Sequence, residues 1–412
     1  MISRRRFVKR TVTALGAAAV RPFTRAEEPG ADFVASTEVQ VIKHGAGPNS
    51  LGWFHPRACL VPSPAGNGQR VFMTLQEVKG SDFFRQVHFM TSDDLGKTWT
   101  EPEPIPDFNW HEKGGGLIEG VCDVVPQWHS WTKTVLAMGH NVYYKDNRLT
   151  QAGAERWPSY SVRDTSGSWS NRQRLVWDDP RAEAIMSCGC GERLWFENGD
   201  LLVAVSIGSK GYAHRSVTTL RCAFDGKKLT VKQSGSEIVN PKGRGMLEPS
   251  VTEFRNRYYM TIRAEDGRGY VTTSDDGMKW AEKKAWSWGD GTPLDMSTTQ
   301  QHWLLHSDGL HLAYNRKTED NAKVMRFRAP LFIAAVDHET LRLRRDTERI
   351  LFPLKGDPVN KPATVILTDN FHPLAASKDE SWITVGENTI QARVPGDLMI
   401  GRIKWSKPNT LV

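Results

Sequence analysis

Two short stretches of the chain repeat one pattern of turn-forming residues. The first runs from Ser92 to Trp99 as Ser-Asp-Asp-Leu-Gly-Lys-Thr-Trp, and a shortened copy runs from Ser274 to Trp280 as Ser-Asp-Asp-Gly-Met-Lys-Trp. In such a turn the Ser and Asp side chains hydrogen-bond to nearby backbone amides, and Gly takes the positive φ that the chain needs. A turn of this kind that recurs between short strands is typical of a β-propeller, in which one four-stranded unit is repeated.

The hydrophobic pattern along the rest of the chain indicates strands. Short alternating segments are separated by Gly, Asn and Asp turns, and no long segment has helical periodicity. We therefore predict an all-β fold. The clearest predicted strands cover residues 70–78, 86–92, 134–144, 200–207, 257–263, 309–315, 330–336 and 381–386.

The spacing of these strands predicts a six-bladed β-propeller of four-stranded antiparallel blades, with a β-sandwich as the alternative. Six modules of roughly 55–65 residues follow one another, as expected for blades. Each module opens with a short strand that we expect at the central channel. The modules begin near His55, Gly120, Ser187, Met246, Ser297 and Val365. The residues expected to face the channel axis are Arg57, Asp123, Cys188, Glu248, Gln300 or Gln301, and residues 370–372.

Residues 1–26 are similar to a twin-arginine export signal. Arg4 and Arg5 precede a short apolar run, and Ala26 ends a small-residue cleavage pattern. We expect this segment to be removed, which leaves residues 27–412 as one domain in the periplasm or outside the cell. The apolar run is too short for a stable membrane span, which takes roughly 20 residues.

The charge of the chain gives no support to nucleic-acid binding. The formal net charge is +7, and residues 1–26 hold seven basic residues and no acid, so residues 27–412 are neutral overall. Nucleic-acid binding requires a basic surface on the folded domain. The five cysteines leave at least one unpaired, and we expect buried thiols: Cys59, Cys122, Cys188, Cys190 and Cys222.

The two turns resemble the Asp box of the sialidase superfamily, and a second motif strengthens the resemblance. Glu248-Pro-Ser-Val-Thr-Glu253 matches the family's Glu-x-x-Val-x-Glu strand, and Arg263 follows one hairpin later. A strand out and a strand back bring Glu248 and Arg263 to the same end of adjacent strands. The resemblance covers most of residues 50–340 and implies a sialidase-like propeller.

The resemblance also implies the residues of a site. Arg57 and Arg328 stand where the family has two further arginines, with Arg326 as a competing candidate for the third. Three arginines that converge on one point can hold a carboxylate, because each guanidinium keeps its charge and offers bidentate donors. Asp82 stands at the place of the family's general acid, and Glu248 at that of the base or nucleophile helper.

The chain departs from the family where a nucleophilic tyrosine is expected. No tyrosine follows Tyr314, and the matching stretch leaves His372 or Asp369 as the reactive groups. Three possibilities stay open: hydrolysis with acids and water, in an inverting or altered retaining scheme; a lyase in which His372 or His140 abstracts a proton beside a uronate carboxylate; and binding without turnover.

The function that the sequence favours is exo-glycoside hydrolysis of an acidic glycan. The alternatives are a carbohydrate-binding propeller and a uronate polysaccharide lyase. We expect a monomer. No spacing of His, Cys or acidic residues predicts a metal site, and no motif predicts a cofactor. The sequence does not identify the sugar, the linkage or the stereochemical outcome.

Overall fold

The strands pair into six antiparallel sheets that form the blades of a β-propeller, which confirms the predicted fold class. A computed structural model describes residues 30–45, 52–63, 66, 68–80, 82–150, 155–210 and 214–412. The predicted export signal lies outside the described residues. No described helix is long and apolar enough to cross a membrane.

Blades 1 to 3 follow one another along the chain, each starting at the central channel. Blade 1 consists of Gly52–Pro62, Gln69–Val78, Phe84–Ser92 and Glu103–Pro104. Blade 2 consists of Leu117–His129, Thr134–Lys145, Pro158–Arg163 and Gln173–Arg174, with His111–Gly114 and Arg148–Thr150 added. Blade 3 consists of Ile185–Ser187, Leu201–Gly208, Ser216–Phe224 and Leu229–Ser234, with Leu194–Trp195 beside the second strand.

Blades 4 to 6 repeat the arrangement. Blade 4 consists of Met246–Phe254, Arg257–Ala264, Gly269–Ser274 and Lys284–Ala285. Blade 5 consists of His302–His306, Gly309–Tyr314, Leu331–Asp337 and Arg342–Leu343, with Arg349–Phe352 also paired to the third strand. Blade 6 consists of Phe371–Ser377, Glu380–Gly386, Leu398–Trp405 and Val34–Lys43.

The remaining elements are small. A two-stranded ribbon pairs Lys355–Asp357 with Lys361–Ile366, and three single-turn 3₁₀ helices cover Pro180–Ala182, Met325–Phe327 and Arg345–Thr347. Four of the six predicted module starts fall within innermost strands. The other two, Ser297 and Val365, precede their strands by five and six residues.

The ring is closed by a strand from the beginning of the described chain. Val34–Lys43 pairs antiparallel with Leu398–Trp405 and becomes the outermost strand of blade 6. The sequence pattern did not predict this strand. The pairing joins the two ends of the propeller, because the chain segment that leads into blade 1 is hydrogen-bonded into blade 6.

The hydrophobic core lies between the blades, as the stacking of sheets in a propeller requires. Six apolar clusters each fill the space between one pair of neighbouring blades. Trp286 of blade 4 and Trp303 of blade 5 are fully buried with ring centroids 5.9 Å apart. The five cysteines are all free thiols; four are buried and Cys59 is partly buried.

The two Asp-rich turns each dock their blade on the preceding one. In the first, Asp94 accepts hydrogen bonds from the backbone and hydroxyl groups of Thr98 at 2.9 and 2.6 Å, and Gly96 has φ 76°. The Gly96 carbonyl accepts a hydrogen bond from Gln40 of blade 6 at 3.0 Å. In the second, the Gly277 carbonyl accepts a hydrogen bond from Thr219 of blade 3 at 2.7 Å. The turns therefore lie at blade contacts.

Candidate active site

Three innermost strands share a β-bulge at the channel. The pairing register shifts between Phe54 and Arg57 in blade 1, between Cys122 and Val125 in blade 2, and between Leu247 and Ser250 in blade 4. Each bulge contains one residue other than Gly with positive φ. These residues are His55 at 54°, Asp123 at 56° and Glu248 at 46°.

Such backbone geometry redirects a side chain that a regular strand would point elsewhere. Positive φ costs free energy for residues with a Cβ atom and often marks functional positions. The signal in the sequence is proline: Pro56 and Pro249 lie inside central strands, where a missing amide hydrogen favours a bulge. In blade 3 the residue with positive φ near the channel is Gly189, at 53°, in the turn that follows Ile185–Ser187.

The structure brings Glu248 and Arg263 together at the end of two neighbouring strands of blade 4. Glu248 Oε1 lies 2.5 Å from Arg263 Nη1. The Arg263 side chain is 7% exposed and that of Glu248 is 29% exposed, so the pair has one open side. The charge and hydrogen bond of Glu248 outweigh the effect of burial and raise the pKa of Arg263. The open side of Glu248 faces a cavity.

This cavity, which we call the channel cavity, has a volume of about 330 Å³ and lies at the end of the channel that carries the bulges. Six arginines and three acidic residues line it, so its wall is rich in positive charge. The arginines are Arg156, Arg215, Arg244, Arg263, Arg326 and Arg328, and the acids are Asp82, Asp123 and Glu248.

Asp82 and Arg328 line the channel cavity together with the Glu248 and Arg263 pair. Asp82 is exposed and has φ 54°. Arg328 forms an ion pair with Asp369 at 2.8 Å. Four of the six predicted site residues are therefore at one cavity, and their roles stay predictions.

The other two predicted site residues, Arg57 and His372, do not line the channel cavity. Arg57 is fully buried, and it donates hydrogen bonds to Asp123 at 3.0 Å and to Asn370 at 2.8 Å. His372 is 4% exposed and packs beside His302, with ring centroids 5.1 Å apart. Burial, followed by the charges of His302 and Arg57, lowers the pKa of His372 well below its ordinary value.

Asp123 connects the buried Arg57 to the cavity wall. Its Oδ1 atom lies 3.0 Å from Arg57 Nη2 and 3.2 Å from His55 Nε2. Burial would raise the pKa of Asp123, but His55, Arg57 and His140 outweigh burial and hold it at about 2. Burial lowers the pKa of His140 to about 4, against the opposing charge of Asp123. At neutral pH the wall therefore presents an ionised Asp123 beside a neutral His140.

Cys122, Asp123 and His140 are residue types that bind metals, and their ligand atoms lie within 4.8 Å of one another. Cys122 Sγ is 3.4 Å from His140 Nε2. Burial raises the pKa of the Cys122 thiol well above its ordinary value, which keeps it protonated. Arg156 and Arg215 both act electrostatically on His140, and their charges oppose a bound cation. We therefore assign no metal to this cluster.

Arg156 and Arg215 were missed in the sequence analysis. Both occupy one structural position, the segment of one to three residues that precedes the third strand of a blade. The Arg156 carbonyl accepts the amide of Met186 at 2.9 Å, and the Arg215 carbonyl accepts the amide of Met246 at 2.8 Å. Arg328 has the same position in blade 5, where its carbonyl accepts the amide of Thr368 at 2.9 Å. No motif marks this position, because it is defined by the contact between successive blades.

Comparison with solved structures places this architecture among known propellers. No protein-family model and no curated protein matches the sequence. A protein of unknown function from Dyadobacter fermentans DSM 18053 superposes with a TM-score of 0.60 at 14% identity, over 89% of this chain and 99% of that one. The Hadza microbial sialidase Hz136 superposes with a TM-score of 0.59 at 15% identity, over 89% of this chain and 68% of that one.

A third match is the Trypanosoma rangeli sialidase in complex with 2,3-difluorosialic acid, a covalent intermediate. Its TM-score is 0.61 at 14% identity, over 90% of this chain and 59% of that one. The chain has a sialidase-like fold. This chain thus spans little more than half of the trypanosomal enzyme, which has also been solved with sialic acid. At these identities the sialidase-like fold is what the two chains share.

Proposed function

We propose that the protein is an exported glycoside hydrolase that acts on an acidic, carboxylate-bearing glycan in the channel cavity. The observation that carries the proposal is the pair of Glu248 and Arg263, 2.5 Å apart in a bulge that turns Glu248 toward the cavity. Glycoside hydrolysis uses two carboxyl groups, one as proton donor and one as base or nucleophile, and Asp82 and Glu248 are two such groups in one wall.

The substrate carboxylate is held by Arg263 and Arg328 in this proposal. Each guanidinium has five donors and already uses some of them on an acidic partner, Glu248 or Asp369. The remaining donors can bind a carboxylate, and the charge of the arginines favours an anion over a neutral sugar. Arg57, buried beneath the wall, orients Asp123.

The reaction needs one proton donor and one proton acceptor. In the proposed scheme the Asp82 carboxyl group is the acid that donates a proton to the glycosidic oxygen as the bond to the anomeric carbon breaks. Glu248 accepts a proton from the water molecule that attacks that carbon. Among the described residues that line the cavity, none is a tyrosine, which favours water over a tyrosine nucleophile.

A lyase reaction is the second candidate because His140 lines the same cavity. Its lowered pKa of about 4 keeps the imidazole neutral near pH 7, and a neutral imidazole can take a proton. In this scheme His140 removes the proton beside a uronate carboxylate, the bond to the leaving oxygen breaks, and an unsaturated uronate forms.

A substrate panel separates these candidates from binding alone. Purified protein is incubated with sialosides and with uronate-containing polysaccharides, with Arg263→Ala and His140→Gln variants alongside. New reducing ends without ultraviolet absorbance support hydrolysis, and unsaturated uronate absorbance that His140→Gln abolishes supports the lyase. Glycan binding with no product from any substrate would overturn both catalytic proposals.

Export by the twin-arginine route and a monomeric state belong to the same proposal. Arg4 and Arg5 carry the export motif. We expect replacement of both by Lys to retain the precursor inside the cell, as shown by fractionation and blotting. Light scattering of the exported protein tests whether its mass is that of one chain.

A further inference from the structure

Arg156 and Arg215 are two cationic side chains of the channel cavity with no acidic partner among the described residues. Three of the other four arginines of the cavity are neutralised: Arg263 pairs with Glu248, Arg328 with Asp369, and Arg244 with Glu265. Arg326, the fourth, is exposed in the single-turn helix Met325–Phe327. Arg156 and Arg215 line the cavity from blades 2 and 3 and are partly buried. Two unpaired, partly buried cations are costly, so this wall is suited to a negatively charged ligand group.

Backbone hydrogen bonds hold the main chain of both arginines at equivalent positions relative to the channel. Arg156 donates its amide to Ala184 at 3.0 Å and accepts from Met186 at 2.9 Å. Arg215 donates its amide to Arg244 at 2.8 Å and accepts from Met246. Each arginine is thus clamped to the strand that opens the next blade.

The two guanidinium groups also act on each other. Burial and then the charge of Arg156 lower the pKa of Arg215 to about 10, and Arg244 and Arg263 act in the same direction. This repulsion is relieved when an anion lies between the groups. The relief adds to the hydrogen bonds that the anion itself would accept.

We propose that Arg156 and Arg215 form a second anion-binding subsite, which takes a sulfate or phosphate ester of the glycan. This inference rests on the proposed function, in which Arg263 and Arg328 hold the carboxylate from blades 4 and 5. A tetrahedral ester presents three terminal oxygens and can accept from two guanidinium forks that approach from different blades. The substrate class becomes an acidic glycan with two anionic groups, one carboxylate and one oxyanion ester.

Ion binding to the purified protein tests the subsite without any need for turnover. Sodium sulfate, sodium phosphate and sodium acetate are titrated calorimetrically at constant ionic strength. The wild type, Arg156→Gln, Arg215→Gln and Arg345→Gln are compared; Arg345 is an exposed arginine of blade 5 outside the cavity. We expect sulfate or phosphate to bind the wild type and the Arg345 variant alike, and the two cavity variants at least about tenfold more weakly.

Two outcomes would overturn the subsite. One is equal binding of sulfate and phosphate by the wild type and by both cavity variants. The other is acetate binding that depends on Arg156 and Arg215 as strongly as sulfate binding does, which would make the site a carboxylate site. Thermal unfolding of each variant separates lost binding from lost structure. If a glutamine variant does not fold, the conservative variants Arg156→Lys and Arg215→Lys are measured in its place.

A second experiment distinguishes a sulfate ester from a phosphate ester, and the proposed anion subsite from the proposed hydrolase. Oligosaccharides that carry a carboxylate, with a sulfate, a phosphate or neither ester, are compared for binding. The ester that binds more tightly, and loses this advantage in Arg215→Gln, identifies the ligand. If ester binding is present but no glycan is cleaved, the hydrolase proposal fails and the subsite stands. If the glycan is cleaved but neither ester improves binding, the subsite proposal fails and the hydrolase proposal stands.

Discussion

At the scale of single residues, some charged groups of the channel face the cavity and others are buried beneath its wall. Glu248 and Asp82 face the channel cavity, whereas Arg57 is enclosed by its partners beneath the cavity wall. The sequence could place Arg57 and Glu248 near the channel, because the order of strands and turns fixes the residues at the start of each blade, and the sialidase resemblance placed Asp82 there. It could not show that Asp123 and Asn370 already occupy the donors of Arg57. That fact depends on contacts between residues far apart in the chain.

We predict that Arg57→Ala is strongly destabilising. The substitution removes a fully buried side chain and leaves the partly buried Asp123 without its closest cation and Asn370 without its donor. Loss of one partner of a buried ion pair costs about 3–5 kcal/mol. Urea unfolding of the wild type and the variant measures the loss, with Arg345→Ala as the exposed control. A loss below about 1 kcal/mol would show that Arg57 is not a structural ion-pair residue.

Glu192 makes stability depend on pH near neutrality. Its carboxyl group accepts hydrogen bonds from the Trp303 amide at 2.7 Å and from Ser250 at 2.9 Å, and burial raises its pKa to about 8. Because the folded-state pKa exceeds the ordinary value of 4.5, the protonated form stabilises the fold. This contribution is complete below pH 4.5 and is lost as the pH rises to about 8.

We therefore expect Glu192→Gln to become more stable than the wild type as the pH rises. Between pH 4.5 and pH 8 the difference in free energy of unfolding should change by about 2 kcal/mol or more in favour of the variant. Urea unfolding at several pH values measures the change, and Glu282→Gln, an exposed glutamate, serves as the control. A pH-independent difference would contradict a raised pKa at Glu192.

At the scale of strands and turns, the Asp-rich turns set the contacts between blades. Their Ser, Asp, Gly and Trp pattern predicted both turns, because each residue acts on its own backbone within a few positions. The bulges at His55, Asp123 and Glu248 were not predicted, although a proline follows two of them. A bulge depends on the register between two strands, which a local sequence pattern does not define.

We predict that Gly96→Ala destabilises the propeller more than Gly291→Ala. Both glycines have positive φ, at 76° and 86°, so Ala costs about 1 kcal/mol at either position. At Gly96 the new Cβ would also lie 2.9 Å from Trp382 of blade 6, whereas nothing lies within 4 Å at Gly291. We expect Gly96→Ala to cost about 1–2 kcal/mol more, as measured by thermal unfolding. Equal losses would show that the turn does not hold blades 1 and 6 together.

At the scale of the whole molecule, the ring depends on the strand that closes it. The period of the strands predicted six blades and most of their starting points. The closing strand Val34–Lys43 was not predicted, because its alternation resembles that of any other strand and its partner lies more than 350 residues later in the chain. Arg156 and Arg215 were missed for a similar reason, since the contact between successive blades brings them to the cavity.

We predict that a chain lacking residues up to Lys43 does not form a stable propeller. The deletion leaves Leu398–Trp405 as an unpaired edge and exposes apolar residues between blades 5 and 6. Circular dichroism and size-exclusion chromatography should show loss of cooperative unfolding or aggregation, whereas a chain that starts at residue 30 keeps the wild-type transition. Cooperative unfolding of the shorter chain at the wild-type temperature would contradict the role of this strand.

The proposed hydrolase is tested most directly by one pair of matched variants. Glu248 and Glu253 lie on the same innermost strand of blade 4, but Glu248 faces the channel cavity and Glu253 is exposed outside it. Release of new reducing ends from the acidic glycan that the substrate panel identifies is measured for both Glu→Gln variants. We predict that Glu248→Gln loses about 100-fold or more of the wild-type rate and that Glu253→Gln keeps it. Full activity in Glu248→Gln would contradict the proposed hydrolase.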